Sequence, residues 1–170
     1  MNVSFSGVVG TGMMAAIQGT MMTEFGESIQ SVEAEILSNL VGYPNYDMTV
    51  TTGQYAFGEN PMQNNYTISG KKNDDYLNGI STLDLVLIQR HILGIEALNS
   101  PYKMIAADVD RDDKISATDL IDLRKLILGI HETFPNNDSW KFVDASQNLT
   151  IQNPWIFRDQ ISIENLENDM

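Results

Sequence analysis

The sequence predicts a small β-sandwich followed by a compact all-α pair of loop-helix repeats. Three observations carry that division. Residues 13 to 72 are rich in Thr, Val, Ile and Tyr and are cut by turn signals at Phe25-Gly26, Tyr43-Pro44-Asn45, Thr52-Gly53 and Glu59-Asn60-Pro61. Residues 73 to 134 contain two apolar helical stretches, LDLVLIQRHILG and TDLIDLRKLILG, that copy one another. Between them, DVDRDDKISATD at residues 108 to 119 places five aspartates in twelve positions, a crowding that is unfavourable unless a cation sits among the carboxylates.

Residues 1 to 12 precede the first clear strand pattern and are assigned to an N-terminal segment. Strands are expected near residues 13 to 22, 29 to 38, 47 to 52, 54 to 58 and 65 to 71, joined by short connections as in a sandwich. Ile29, Val32, Ala34 and Ile36 do not alternate strictly, so the limits of that strand are loosely defined. The helical half follows. Asp84 and Asp119 stand 35 residues apart, and in that register Ile80, Ser81, Leu85, Ile92, Leu93 and Gly94 fall on Ile115, Ser116, Leu120, Ile127, Leu128 and Gly129. This is a tandem duplication. Ser81 to Asp84 and Ser116 to Asp119 read as capping boxes, and each glycine as a left-handed stop. Leu85, Ile88 and Ile92, matched by Leu120, Leu123 and Ile127, form one apolar stripe per helix. The two stripes are expected to bury each other. Residues 135 to 170 are Asn- and Asp-rich with Trp140, Phe142, Trp155 and Phe157 as punctuation. They read as an irregular tail whose tryptophans pack back on one of the two domains. ISIENLENDM reads as a strand followed by a cut, in a piece of something longer.

Composition narrows the function classes. A net charge of −13 with ten Lys and Arg repels nucleic acid and anionic membrane surfaces and favours neutral, basic or cationic partners. There is no cysteine, so neither a disulfide nor a zinc-thiolate site can staple the two small domains, each of which is short of core. Calcium fills that gap. No apolar run approaches the ~20 residues of a membrane-spanning helix. The opening MNVSFSGVVGTGMMAAI also lacks the basic start of a secretory signal.

An EF-hand loop supplies oxygens at positions 1, 3, 5, 7, 9 and 12, with position 7 using its carbonyl. Counted from Asp108, these are Asp108, Asp110, Asp112, Lys114, Ser116 and Asp119. Position 6 is Asp113 where glycine is usual, and Asp is one of the few other residues that tolerate positive φ. Position 12 is Asp rather than Glu. In the first copy the same register gives Asn73, Asp75, Leu77, Gly79, Ser81 and Asp84. Leu77 offers no side-chain ligand, so this loop is expected to bind calcium more weakly or to be held by hydrogen bonds.

A duplicated loop with Asp at position 12, followed by one helix rather than flanked by two, resembles the type I dockerin module over residues 73 to 131. The resemblance implies calcium binding and docking to a cohesin-like domain. The partner face it implies comprises Thr82, Leu83, Gln89 and Arg90 in the first copy and Ala117, Thr118, Arg124 and Lys125 in the second. Leu83 and Gln89 depart from the usual chemistry of that face. TTGQYAF at residues 51 to 57, followed by NPMQNNYTISGKK, resembles the carboxypeptidase-regulatory-like, transthyretin-type β-sandwich. Together the two resemblances imply an extracellular or cell-surface setting, including polysaccharide-degrading assemblies, and no catalysis in this chain.

Plainer readings stand beside these. The aspartates also fit a solvated acidic turn, and Arg90, Arg124 and Lys125 fit solvated helix charges placed well for the helix dipole. MIAADVD, an apolar run ending in Asp-x-Asp, superficially matches the nucleophile strand of aspartyl-phosphate enzymes, although the helical half has no parallel sheet to hold it. His91 and His131 sit at or near helix ends without metal or triad spacing and read as structural. Two functional alternatives to cohesin docking therefore remain: an intramolecular structural module of a surface adhesin, and an aspartate-dependent phosphotransfer enzyme.

Overall fold

The computed structural model describes residues 2–11 and 13–167. Met1, Gly12 and Asn168 to Met170, which fall in the expected N-terminal segment and tail, lie outside the described residues. In chain order the elements are β1 (Asn2–Thr11), β2 (Met14–Met22), β3 (Glu33–Leu37), β4 (Asn45–Met48), β5 (Gln54–Pro61), β6 (Tyr66–Lys71), α1 (Thr82–Ile92), α2 (Pro101–Ala107), α3 (Ala117–Ile127), β7 (Val143–Asp144) and β8 (Gln160–Ile163). The chain divides into two compact units. One comprises residues 1–72, 142–148 and 158–170, and the other residues 73–141 and 149–157.

The β unit consists of two four-stranded sheets, ordered β5-β2-β1-β7 and β4-β3-β6-β8. Strand side chains alternate between faces, and the inward sets form the core: Ala15, Ile17 and Met21 on β2, Ala34 and Ile36 on β3, Tyr55 and Phe57 on β5, Tyr66 and Ile68 on β6. Gly19 belongs to this inward set for a steric reason. A Cβ there would collide with the Ser4 carbonyl oxygen and the Tyr55 hydroxyl, and that hydroxyl donates to the same carbonyl at 3.1 Å. The buried Asn60 amide is also fully engaged, accepting from Tyr43 Oη at 2.8 Å and donating to the Ala15 and Phe57 carbonyls.

The structure revises the expected boundaries. Residues 2–11, assigned to a segment outside the sandwich, form β1, which pairs with β2 from Asn2↔Met22 to Thr11↔Met14. The tail from residue 135 is not uniformly irregular: β7 adds to β1 in parallel and β8 adds to β6 antiparallel. Phe142, Val143 and Leu166 are buried beside them. Open backbone edges present unpaired N–H and C=O groups; β8 covers that of β6 from Tyr66 to Ser69, and β7 covers β1 at Asn2 and Val3. The expected strand over 47 to 52 is shorter and earlier, because the chain turns at Thr51-Thr52 and Gly53.

The helical unit buries Ile88, Ala107, Val109 and Leu123, with Ile80, Leu85, Leu98, Ile115, Leu120, Ile127 and Phe134 packed around them. The predicted stripe of α3 lies wholly in this cluster and that of α1 through Leu85 and Ile88, whereas Ile92 is exposed. Helix α2 was not foreseen. Its start is legible in retrospect as Ser100, which accepts from Lys103 N, followed by Pro101 in the first turn. MIAA is therefore helical, and the strand needed for aspartyl-phosphate chemistry does not form. Trp140 and Trp155 are half-buried residues of the helical unit. No helix among the described residues is long and apolar enough to cross a membrane.

Candidate metal centre

Both helices of the duplication begin and end by the same rules. Ser81 and Ser116 cap α1 and α3 in extended backbone, and Asp84 and Asp119 each accept from the cap residue's N–H. Gly94 and Gly129 both adopt φ +67°. Their N–H groups return to His91 O and Leu126 O, while Ile95 and Ile130 reach back to Arg90 O and Lys125 O. These are Schellman stops. His91 serves structure too, its Nδ1 accepting from Leu98 N at 3.1 Å.

The two loops differ. In the second, Asp119 is fully buried; its Oδ1 accepts from Val109 N at 2.7 Å and Asp110 N at 3.2 Å, and its Oδ2 from Ser116 N at 2.7 Å. Asp108, also buried, accepts from Asp112 N and Asp113 N at 3.0 and 3.1 Å. Arg111 and Asp113 take positive φ, 62° and 63°, so Asp113 adopts the left-handed conformation expected of it. The backbone thereby curls around its own carboxylates. One oxygen from each of Asp108, Asp110 and Asp112 lies within 4.8 Å of the other two. Burial pushes the Asp108 carboxyl above its ordinary pKa of 3.8; the amides of Asp112 and Asp113 pull it down, and the charges of Asp119 and Asp112 push it up again.

A calcium ion fits this donor set on one observation above the rest: Asp110 Oδ1 is buried and has no hydrogen-bond partner. A buried carboxylate oxygen without a donor is costly, and a hard cation among three carboxylates removes that cost. Asp119 stands outside the trio, its oxygens occupied by backbone amides that close the loop. Ser116 is the helix cap, its Oγ accepting from Thr118 N and forming a hydroxyl–hydroxyl hydrogen bond with Thr118 Oγ1 at 2.7 Å. Lys114 is exposed.

The first loop shows no comparable gathering among the described residues. Asn73 Oδ1 accepts from Ser139 N at 3.0 Å, Asp75 Oδ1 from Leu77 N at 3.3 Å, and Asp84 Oδ2 from both Ser81 N and Ser81 Oγ. Left-handed backbone occurs at Asp75 and Gly79 rather than at the sixth position. Hydrogen bonds hold Asn73, Asp75, Ser81 and Asp84 within this loop and to Ser139.

Of the eight residues on the implied partner face, seven are exposed and Lys125 is half-buried. Arg90 pairs with Glu96 at 2.9 Å and Lys125 with Asp122 at 2.8 Å. Around them Leu83, Val86 and Leu93 of the first copy, and Ile121 and Leu128 of the second, are also exposed. Sequence reasoning missed Asn137, whose Nδ2 donates to the Asp108 carbonyl at 3.0 Å. No local pattern announces a bond across 29 residues.

Residues 73–128 match the family model of the dockerin type I domain. This segment is a type I dockerin module. It covers about a third of the chain. Dockerin modules bind calcium, dock cohesin partners, carry no catalysis of their own and are typically extracellular or on the cell surface. No curated protein and no solved structure matches the chain.

Proposed function

We propose that this chain is a calcium-stabilised attachment module in which Asp108, Asp110 and Asp112 hold the ion, with the Lys114 carbonyl, Ser116 and Asp119 completing or supporting the loop. The observation that carries the reading is the buried, unpartnered Oδ1 of Asp110, a residue whose carboxylate gathers with those of Asp108 and Asp112. Metal binding then contributes directly to the folding free energy of the helical unit and fixes the entry to α3. The exposed residues Ala117, Thr118 and Arg124, with the half-buried Lys125, form the better-matched docking face for a cohesin-type domain of an extracellular protein. Thr82, Leu83, Gln89 and Arg90 form the divergent one.

Calorimetric calcium titration of chelator-stripped protein, paired with circular dichroism, tests the metal site. Binding that raises helicity in the wild type and is lost in Asp108→Ala supports it; no binding at millimolar calcium overturns it. Titration with a type I cohesin domain then separates docking from the second reading, an intramolecular structural module. That second reading is favoured by the return of the chain to the sandwich after the dockerin segment, in β7 and β8. Calcium-dependent cohesin binding weakened by Arg124→Ala or Lys125→Ala supports docking in trans.

A further inference from the structure

We propose that calcium in the second loop stabilises the last strands of the β-sandwich, so that completion of that domain depends on the metal although the domain supplies none of the candidate ligands. The inference rests on the calcium reading above. The chain leaves the sandwich after β6, re-enters it at Phe142, leaves again for residues 149–157 and returns at Arg158, so residues 73–141 form the main insertion and 149–157 a second, short one within one β domain. The return supplies one short edge strand to each of that domain's sheets. β7 is the edge strand beside β1, β8 is the edge strand beside β6, and Val143 and Leu166 are each 1% exposed.

The two ends of the insertion are tied together in both units. Within the sandwich, the Phe142 ring lies against Gly70, where a Cβ would meet its Cγ at 3.1 Å. Within the helical unit, Asn73 Oδ1 accepts from Ser139 N at 3.0 Å. Two residues earlier, Asn137 Nδ2 donates to the carbonyl of Asp108, the first residue of the calcium loop. A continuous path therefore runs from the loop through Asn137 and Ser139 to Asn73, where the insertion begins.

Bringing together the ends of a long disordered segment costs entropy that a folded insertion with joined ends has already met. Calcium that orders residue 108 holds residues 137 to 139 in place through Asn137. This keeps the exit and return points together and favours pairing of β7 and β8. Asn137 acts as a positioning residue.

Hydrogen exchange by mass spectrometry, with chelator and with saturating calcium, tests this on the full chain. Amides of residues 143 to 144 and 160 to 163 are expected to slow by ~10-fold or more with calcium, the scale of a change in local opening. In Asn137→Ala, calcium still binds by calorimetry but that slowing falls below ~3-fold. Asn73→Ala, which opens the ties from the other end, gives the same loss and serves if Asn137→Ala does not fold. If α3 slows with calcium while β7 and β8 do not, or if both variants keep the full effect, the coupling is overturned and the calcium site stands. If nothing slows, the calcium reading falls and the coupling falls with it.

Discussion

The two copies of the repeat share a helix and differ in a loop. Both helices open on a serine cap with an aspartate at its third position and both close on a glycine at φ +67°. Yet Asp119 is fully buried and receives three backbone N–H groups from across its loop, whereas its counterpart Asp84 receives only the N–H and hydroxyl of the neighbouring Ser81. The capping box satisfies first-turn donors in the same way in both copies, so the difference between the copies lies in their loops. What sets the second loop apart is that one oxygen from each of Asp108, Asp110 and Asp112 lies within 4.8 Å of the others and that Asp110 Oδ1 is buried without a donor.

That contrast yields four expectations. The largest concerns the equivalent aspartates. Asp119→Ala strands three backbone donors in a buried site and should cost about 4 kcal/mol of helical-unit stability, while Asp84→Ala should cost about 1 kcal/mol, the value of a cap. Chemical denaturation followed by helical circular dichroism measures both, and equal losses would dissolve the distinction between the loops. Next, Asp110→Asn should lower calcium affinity by ~100-fold, about 2.7 kcal/mol, and the matching Asp75→Asn should leave it unchanged. Calorimetry that finds Asp75→Asn equally damaging would place the ion in the first loop as well.

A smaller effect should appear in pH. With calcium chelated, folded Asp108 keeps its proton to higher pH than the unfolded chain does, so the native state binds more protons in that interval. Its contribution to stability then falls as pH rises from about 3.8 through the raised value. With calcium present the sign reverses, because the ion requires the carboxylate and protons compete with it. Thermal melts across that range, with and without chelator, should slope in opposite directions. The smallest expected effect is a shared one. Gly94→Ala and Gly129→Ala each place a side chain at positive φ and should cost about 1 kcal/mol. Unequal costs would show that the metal loop also supports its helix's far end.

Much of the helical unit was legible in the sequence because its rules are local. A cap, a stop, an apolar stripe and a twelve-residue ligand spacing all act within a few turns of chain, and repetition doubled each signal. The β unit was legible only in part. The inward alternation of β2, β3, β5 and β6 marked strands, but residues 2–11 and the short β7 and β8 carry too little pattern to declare a partner. Helix α2 escaped notice because its seven residues are shorter than a periodic signal needs.

The sequence by itself determined the duplicated loop-helix plan, with its caps, stops and apolar stripes, and the spacing of the aspartates in the second loop, since each depends on residues close together in the chain. Only the tertiary structure decided which loop gathers its carboxylates, which oxygen is left without a donor, and that the strands after the dockerin segment complete the sandwich before it. Those outcomes turn on contacts across long separations, such as Asp108 with Asn137 and Asn73 with Ser139. Their energies appear only when distant segments are brought together, and no short-range pattern records them.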